Sequence, residues 1–135
     1  MYLSKAKGFT LIELLVVMVL MSLSLSIVLP ITVNQVDAAR QRAERQLCAM
    51  FFQQVHNSSF FLARPIEVTA SGRMLTATAK DYQKQLALEY TAFTEQTVII
   101  MPGGLAEPLS LKAYINEKAW QLVIDNEQAA WSDAD

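Results

Sequence analysis

An unbroken apolar stretch near the start of the chain dominates its pattern of hydrophobic and polar positions. No charged residue stands between Glu13 and Asp37, which leaves about 23 consecutive uncharged positions, most of them Leu, Val, Ile or Met. A helix of that length extends about 34 Å, enough to cross a bilayer core of about 30 Å. The pattern therefore predicts a membrane-spanning helix over residues 9–34.

Beyond this stretch the pattern becomes that of an amphipathic helix. Apolar side chains recur at steps of three and four residues, at Val36, Ala39, Ala43, Leu47, Met50 or Phe51, and Val55. Polar residues such as Arg40 and Glu44 occupy the other faces. The helix is expected to end at Ala63-Arg64-Pro65, because the residue before a proline disfavours the helical conformation. We predict an amphipathic helix over residues 35–63 that lays this apolar stripe on a sheet.

Short alternating segments after Pro65 predict an antiparallel β domain over residues 64–135. The expected strands are 66–69, 74–78, 86–93, 97–101, 109–115 and 120–124. Turn residues such as Ser71-Gly72 separate them, and residues 132–135 are expected to form a polar tail. The expected fold class is α+β, with a long N-terminal helix packed on a small antiparallel sheet.

Composition narrows the function classes. The 135 residues carry a formal net charge of −2 at pH 7, which argues against general binding to a phosphate backbone, so no nucleic acid is expected as a partner. Cys48 is the only cysteine, and no disulfide can therefore form within the chain. It is either a small packed residue or half of an intersubunit disulfide.

No set of residues predicts a catalytic or metal site. His56 is the only histidine, and Cys48 lies eight residues before it on the same predicted helix, about 12 Å away along the axis and too far for a nucleophile pair. The acidic and amide residues near the end of the chain are either a solvated tail or oxygen ligands for calcium, namely Asp125, Asn126, Glu127, Asp133 and Asp135. We expect no catalytic residue, no metal and no cofactor.

Arginine and tryptophan side chains admit both structural and functional interpretations. Arg40, Arg42 and Arg45 form a basic cluster that either contacts anionic lipid headgroups or is a solvated helix face. Trp120 is expected to fill the core. Trp131, near the end of the chain, is either a structural residue or an exposed anchor for a partner.

The N-terminus combines a basic leader with an acid inside the apolar stretch. Lys5 and Lys7 suit a signal anchor under the positive-inside rule, and the apolar run exceeds the roughly 7–15 residues of a cleaved secretory signal. Neither interpretation explains Glu13, because a lone acid in a membrane helix costs about 2.5–3.5 kcal/mol at the centre and less near the interface. An acid kept at such a position usually has a partner.

The residues at the start of the apolar stretch resemble a known motif. Lys7-Gly8-Phe9-Thr10-Leu11-Ile12-Glu13 resembles the prepilin cleavage motif of type IV pilins and type II secretion pseudopilins. The resemblance implies a leader peptide over residues 1–8, a cut between Gly8 and Phe9 by prepilin peptidase, and N-methylation of Phe9. Glu13 matches the acid of the family motif, and Pro30 matches the proline of its membrane helix.

The implied function is structural rather than enzymatic. The resemblance implies a subunit, a minor one, of a type II secretion pseudopilus or a type IV pilus, most similar to the H-type minor pseudopilins and the FimT-type minor pilins. The implied partners are prepilin peptidase, other pilins or pseudopilins, the inner membrane and the assembly platform. The implied location is the bacterial inner membrane, crossed once with the C-terminal domain in the periplasm, and then the filament. The alternative is a membrane-anchored periplasmic enzyme or binding module.

Glu13 has a physical role in such an assembly. In a filament core of low dielectric, its carboxylate is expected to meet the Phe9 ammonium group of a neighbouring subunit. An unmatched charge is costly there and a matched one is tolerated, so the pair sets axial register more than it adds stability. The alternative is an acid tolerated at the membrane interface.

Pro30 is expected to kink or locally melt the helix, since proline lacks a backbone donor and clashes with the preceding turn. Hydroxyls on the preceding turns are expected to satisfy the freed backbone groups, namely those of Ser22, Ser24 and Ser26. The alternative is an incidental proline in a membrane helix.

Overall fold

The computed structural model describes residues 8–125 and 128–134. It contains one long helix, α1 (Leu11–Leu62), followed by eight strands. By its internal contacts the chain forms two compact units, which divide between Ala39 and Arg40. The expected α+β fold class, a long N-terminal helix followed by an antiparallel sheet, is confirmed.

Backbone hydrogen bonds define both ends of α1. The carbonyl of Thr10 accepts from the N–H groups of Glu13 (3.1 Å) and Leu14 (3.3 Å). At the other end Ala63 adopts a left-handed conformation with φ 50°. Its N–H donates to Phe60, and the N–H of Arg64 donates to Ser59, which is the hydrogen-bond pattern of a Schellman cap. Pro65 follows and prevents the helix from continuing.

The first unit contains the apolar part of α1. Its large hydrophobic side chains from Leu11 to Val36 are all exposed. By length and composition this helix is long and apolar enough to cross a membrane. An apolar helical surface of this kind is stable only in lipid or against other apolar surfaces.

The strands of the second unit form one antiparallel sheet. They are β1 (Ile66–Gly72), β2 (Met74–Ala79), β3 (Tyr82–Ala87), β4 (Thr91–Ile100), β5 (Ala106–Glu107), β6 (Ser110–Ile115), β7 (Lys118–Asp125) and β8 (Gln128–Asp133). Their spatial order is β3-β2-β1-β4-β6-β7-β8, and the short β5 pairs with β4. Successive strands are joined mainly by tight turns, which is why neighbouring strands are mostly consecutive in sequence.

The hydrophobic core lies between one face of this sheet and the C-terminal part of α1. The helix contributes four buried side chains, Cys48, Phe51, Phe52 and Val55. Every strand except β3 and β8 contributes residues that are at least nine-tenths buried, including Ile66, Leu75, Val98, Leu111 and Leu122. Strand alternation places polar side chains on the other face, such as Thr69, Thr97 and Gln85.

The predicted apolar stripe of α1 matches the face that meets the sheet only in part, since Phe51 and Val55 are buried against it. Residues Val36, Leu47 and Met50 of the predicted stripe are exposed. The sheet instead covers a face that is partly polar, made of Glu44, Cys48, Phe51, Phe52, Val55, His56 and Ser59. Glu44, which was placed on the polar face, is therefore a buried residue.

Five of the six predicted strands each overlap one observed strand, namely β1, β2, β4, β6 or β7. The expected strand 86–93 is wrong, because Leu88, Glu89 and Tyr90 separate β3 from β4. The first four residues of β3, the two-residue β5 and all of β8 were missed. Ser132 and Asp133, expected in a polar tail, belong to β8.

Candidate processing and assembly site

The predicted processing residues lie at the exposed start of α1. Gly8 and Phe9 precede the helix, and Glu13 lies in its first turn. Gly8, Phe9, Thr10 and Glu13 border one open depression of the surface. A Cβ added at Gly8 would meet no heavy atom within 4 Å. A larger side chain would therefore fit at position 8. Recognition by another protein is one reason for a glycine at this position.

Glu13 has no partner among the residues that the structure describes. It lies in the first turn of α1, where backbone N–H groups have no partner within the helix. Thr10 and Glu13 also have the spacing of a capping box, but no hydrogen bond joins the Glu13 carboxylate to Thr10 within residues 8–125 and 128–134.

Pro30 lies inside α1, and the helix continues through it without a break. Ser22, Ser24 and Ser26 each donate a hydroxyl hydrogen bond to the carbonyl four residues earlier, on Met18, Leu20 and Ser22. Proline at position 30 deprives the carbonyl of Ser26 of its usual donor. The three serines therefore bond to carbonyls other than that of Ser26. The helix does not melt at Pro30, and the kink stays a prediction.

Comparison with protein families supports the N-terminal resemblance. Residues 3–29 match the model described as the prokaryotic N-terminal methylation motif. The match includes Gly8, Phe9 and Glu13, and it ends one residue before Pro30. The comparison with curated proteins found no match, and neither did the comparison with solved structures.

The chain therefore carries the hallmark of type IV pilin-like proteins, and the predicted resemblance to that class is confirmed. The motif implies processing by prepilin peptidase and assembly with other pilins. It indicates a structural protein rather than an enzyme, and the long apolar helix suits anchoring in the inner membrane.

A carboxylate that the sequence analysis missed holds the connection between β3 and β4. Glu44 on α1 accepts hydrogen bonds from three successive backbone N–H groups, those of Glu89 (2.5 Å), Tyr90 (3.1 Å) and Thr91 (2.7 Å). Only 8% of its surface is exposed. These bonds give the buried carboxylate its hydrogen-bond donors. They also give an acceptor to backbone N–H groups at the point where the chain passes from β3 to β4.

The environment of Glu44 favours its ionised form. Burial alone would raise the pKa, but the hydrogen bonds from Glu89, Thr91 and Tyr90 outweigh it, and the pKa lies below its ordinary value. The buried Thr91 hydroxyl also lowers it, although that hydroxyl makes no hydrogen bond of ordinary length and angle. The ionised Glu44 carboxylate therefore links α1 to the β3–β4 connection through hydrogen bonds.

Cys48 lies one turn after Glu44 and is fully buried, which confirms that it is a packed residue. Burial raises the pKa of its thiol to about 12, and the negative charge of Glu44 adds to the shift. The thiolate that a nucleophile requires is therefore disfavoured. His56 is also buried and lines a small cavity with Phe52 and Ile100.

Trp120 differs from expectation, whereas Trp131 takes the structural role that was one of its two alternatives. Trp120 is only half-buried, with the guanidinium of Arg45 4.7 Å and the ammonium of Lys118 5.3 Å from its ring centre. Trp131 is also half-buried, and its indole N–H donates to the carbonyl of Arg45 (3.0 Å). Its ring packs 6.2 Å from that of Phe93. Trp131, rather than Trp120, therefore connects the last strand to the core.

The described residues contain no group of three or more His, Cys, Asp or Glu side chains placed to hold a metal ion. Asp133 forms an exposed ion pair with Lys118 (2.9 Å). Three of the candidate calcium ligands, Asn126, Glu127 and Asp135, lie outside the described residues. The calcium alternative therefore stays untested.

Proposed function

We propose that this protein is a minor structural subunit of a type II secretion pseudopilus or of a type IV pilus. The observation that carries the proposal is the methylation motif over residues 3–29, which overlaps the uncharged stretch of a long apolar helix. A helix followed by a single antiparallel sheet supports it, because a small domain of this kind can pack against neighbours along a filament. The alternative is a membrane-anchored periplasmic enzyme or binding module.

The proposed maturation begins in the inner membrane. Residues 1–8 form the leader, prepilin peptidase cuts between Gly8 and Phe9, and Phe9 is then N-methylated. Residues 9–34 hold the subunit in the membrane, with the domain after them in the periplasm, until the assembly platform transfers it to the filament. The exposed apolar side chains between Leu11 and Val36 support this part of the proposal, since they need lipid first and other helices later.

Glu13 is the proposed register residue of the assembled filament. Its carboxylate has no partner in the described part of the chain, and Phe9 gains a new ammonium group when the leader is removed. Pairing of these two groups between neighbouring subunits neutralises both charges in an apolar core. Pro30 is proposed as a second assembly residue, at which one backbone hydrogen bond of the helix is missing.

Mass spectrometry of the intact protein purified from membranes tests the processing step. A mature chain that begins at methylated Phe9 is expected. Gly8→Leu is expected to block the cut, so that the full precursor is recovered. The substitution should leave the fold unchanged, because a Cβ at Gly8 meets no heavy atom within 4 Å. A matched substitution outside the motif, Gln85→Leu, should be processed normally. Recovery of an intact Met1 in the unmodified protein would contradict the proposal.

A further inference from the structure

Two arginines on α1 have no acidic partner among the described residues. Arg42 is exposed and Arg45 is half-buried, and neither forms an ion pair within residues 8–125 and 128–134. Glu44, the acid between them in sequence, is buried and already accepts three backbone N–H groups. Arg42 and Arg45 stand three positions apart, so they lie on one side of the helix. This turn of α1 therefore presents two cations that are open to an anion from outside the domain.

An aromatic ring lies beside these cations. Trp120 is half-buried, and its ring centre is 4.7 Å from the guanidinium of Arg45 and 5.3 Å from the ammonium of Lys118. The ammonium is already paired with Asp133 (2.9 Å), so the unpaired cation beside the ring is Arg45. The indole N–H of Trp131 donates to the carbonyl of Arg45 (3.0 Å), which attaches this turn of α1 to β8. Tryptophan favours the boundary between hydrocarbon and water, because its ring is apolar and its N–H is polar.

The position of the arginines along the chain keeps them close to the apolar stretch. Val36 is the last exposed large apolar residue before Asp37 ends that stretch, and Arg42 follows six residues after Val36. Six residues span about 9 Å as a helix and at most about 22 Å when fully extended. The headgroup layer on each side of a bilayer core is about 5–7 Å thick. If the apolar stretch crosses a membrane, the long side chain of Arg42 therefore lies within reach of the lipid phosphates.

We propose that Arg42, Arg45 and Trp120 bind the headgroup of an anionic phospholipid. The inference rests on the part of the proposed function that places residues 9–34 in a membrane. A guanidinium forms paired hydrogen bonds with phosphate, while the Trp120 ring packs on the lipid carbons just below the headgroup. Each arginine near an anionic membrane surface strengthens binding about fivefold. The contact holds the folded domain on the membrane surface until the subunit leaves the membrane.

Native mass spectrometry of the full-length protein in an uncharged detergent tests the proposal. The protein is titrated with dioleoyl phosphatidylglycerol and, in parallel, with dioleoyl phosphatidylcholine, which has the same acyl chains but no net charge. Phosphatidylglycerol is expected to bind at least about tenfold more tightly, because only its charge is left unbalanced at the two arginines. Equal affinity for the two lipids would overturn the proposal.

Charge-neutral substitutions identify the residues that bind the lipid. Arg42→Gln combined with Arg45→Gln should weaken phosphatidylglycerol binding about thirtyfold, and Arg42→Gln alone about fivefold. Because Arg42 is exposed, the single variant should keep the thermal unfolding midpoint of the unmodified protein. Arg64→Gln combined with Arg73→Gln removes the same net charge from exposed positions elsewhere and should retain the affinity. Unchanged binding by Arg42→Gln, or an equal loss in the control pair, would overturn the proposal.

Tryptophan fluorescence tests the same contact in a bilayer. The full-length protein is placed in nanodiscs of phosphatidylcholine alone or mixed with phosphatidylglycerol. The anionic lipid is expected to shift the emission to shorter wavelength in the unmodified protein but not in Trp120→Phe. An ionic strength of about 1 M should remove the shift, because the Debye length falls to about 3 Å. A shift that persists in Trp120→Phe would overturn the role given to Trp120.

This inference and the proposed function fail in distinguishable ways. If inorganic phosphate displaces phosphatidylglycerol at equal concentration, the site is one for a soluble anion and the lipid inference is wrong. If the chain begins at methylated Phe9 and inserts into both kinds of nanodisc, but the anionic lipid makes no difference, only the lipid inference is wrong. If the chain inserts into neither kind of nanodisc, the membrane step of the proposed function fails and this inference fails with it.

Discussion

At the scale of single residues, Glu44 shows how a buried charge connects two elements. Its carboxylate replaces the sheet partner that the N–H groups of Glu89, Tyr90 and Thr91 lack between β3 and β4. Hydrogen bonds to a charged group contribute more than neutral ones, and leaving such donors unpaired is costly. The position of the β3–β4 connection therefore depends on one side chain from α1.

Replacing Glu44 with Gln is expected to lower the free energy of unfolding by about 1.5–3 kcal/mol, because the amide brings its own donors towards backbone donors. Chemical denaturation of the full-length protein in detergent, followed by tryptophan fluorescence, measures this change. The exposed Glu95→Gln is the control, and it should change stability by less than about 0.5 kcal/mol. Equal stability of the Glu44 variant and the control would contradict a stabilising role for the Glu44 hydrogen bonds.

The same acid predicts a dependence of stability on pH. Folding lowers the pKa of Glu44 from its ordinary value of 4.5. Its contribution is therefore present above that value and is lost as the pH falls through the lower pKa of the folded state. The difference in unfolding free energy between the unmodified protein and Glu44→Gln should be constant from pH 7 to about pH 5 and shrink below about pH 4.5. A difference that grows towards low pH would contradict this assignment.

The Cys48 thiol is expected to resist alkylation in the folded protein. It is fully buried, and its pKa is raised to about 12, so both access and thiolate content are low at pH 8. Iodoacetamide labelling followed by mass spectrometry should show little modification in native conditions and complete modification in denaturant. Rapid labelling of the native protein would contradict this burial and would favour the alternative of an intersubunit disulfide.

At the scale of elements, periodicity located α1 but could not choose its buried face. The sheet covers Glu44, Cys48, His56 and Ser59, all polar or only weakly apolar, and the periodicity of apolar residues does not mark such positions as buried. Ser59 is accepted in the core because its hydroxyl bonds to the carbonyl of Ile100 (3.1 Å). Such long-range partners leave no signal in local sequence, whereas the exposed apolar residues Leu47 and Met50 give a strong one.

Among the strands, the predictions succeeded where hydrophobic alternation is regular and failed at the edges of the sheet. The segments of β1, β2, β6 and β7 alternate between buried and exposed residues, and each was located from sequence. The edge strands β3 and β8 contain no residue in the fully buried class and carry Gln, Lys, Ser and Asp. Their positions depend on pairing with β2 and β7, which sequence periodicity does not record.

The attachment of β8 predicts a difference between the two tryptophans. Trp131→Ala is expected to cost about 2–4 kcal/mol, since it removes contacts with Phe93 and the hydrogen bond to Arg45. Trp120→Ala should cost about 1–2 kcal/mol, because its stacking with Arg45 and Lys118 is open to solvent. Thermal unfolding of the two variants measures both values. A larger loss of stability for Trp120→Ala than for Trp131→Ala would contradict the role assigned to Trp131 in attaching β8.

At the scale of the whole molecule, the N-terminal motif and the folded domain differ in how far sequence predicts them. The motif is local, because it consists of consecutive residues within 3–29, and the resemblance found it directly. The domain depends on contacts between distant residues, such as Glu44 with Thr91, which only the structure shows. Glu13 belongs to both scales, because it stands within the motif while its proposed partner is in another molecule.

Two substitutions at Glu13 separate its proposed role in assembly from a role in starting the helix. Glu13→Ala removes the carboxylate, and Glu13→Gln removes the charge but keeps a side chain that suits a capping box with Thr10. Both variants should be inserted and cut between Gly8 and Phe9. Both should fall about a hundredfold or more in recovery with other pilins, because the Phe9 ammonium group loses its partner in an apolar core at a cost of about 3–5 kcal/mol. Normal incorporation of Glu13→Gln beside a defective Glu13→Ala would show that Glu13 caps the helix, and normal incorporation of both would remove it from assembly altogether.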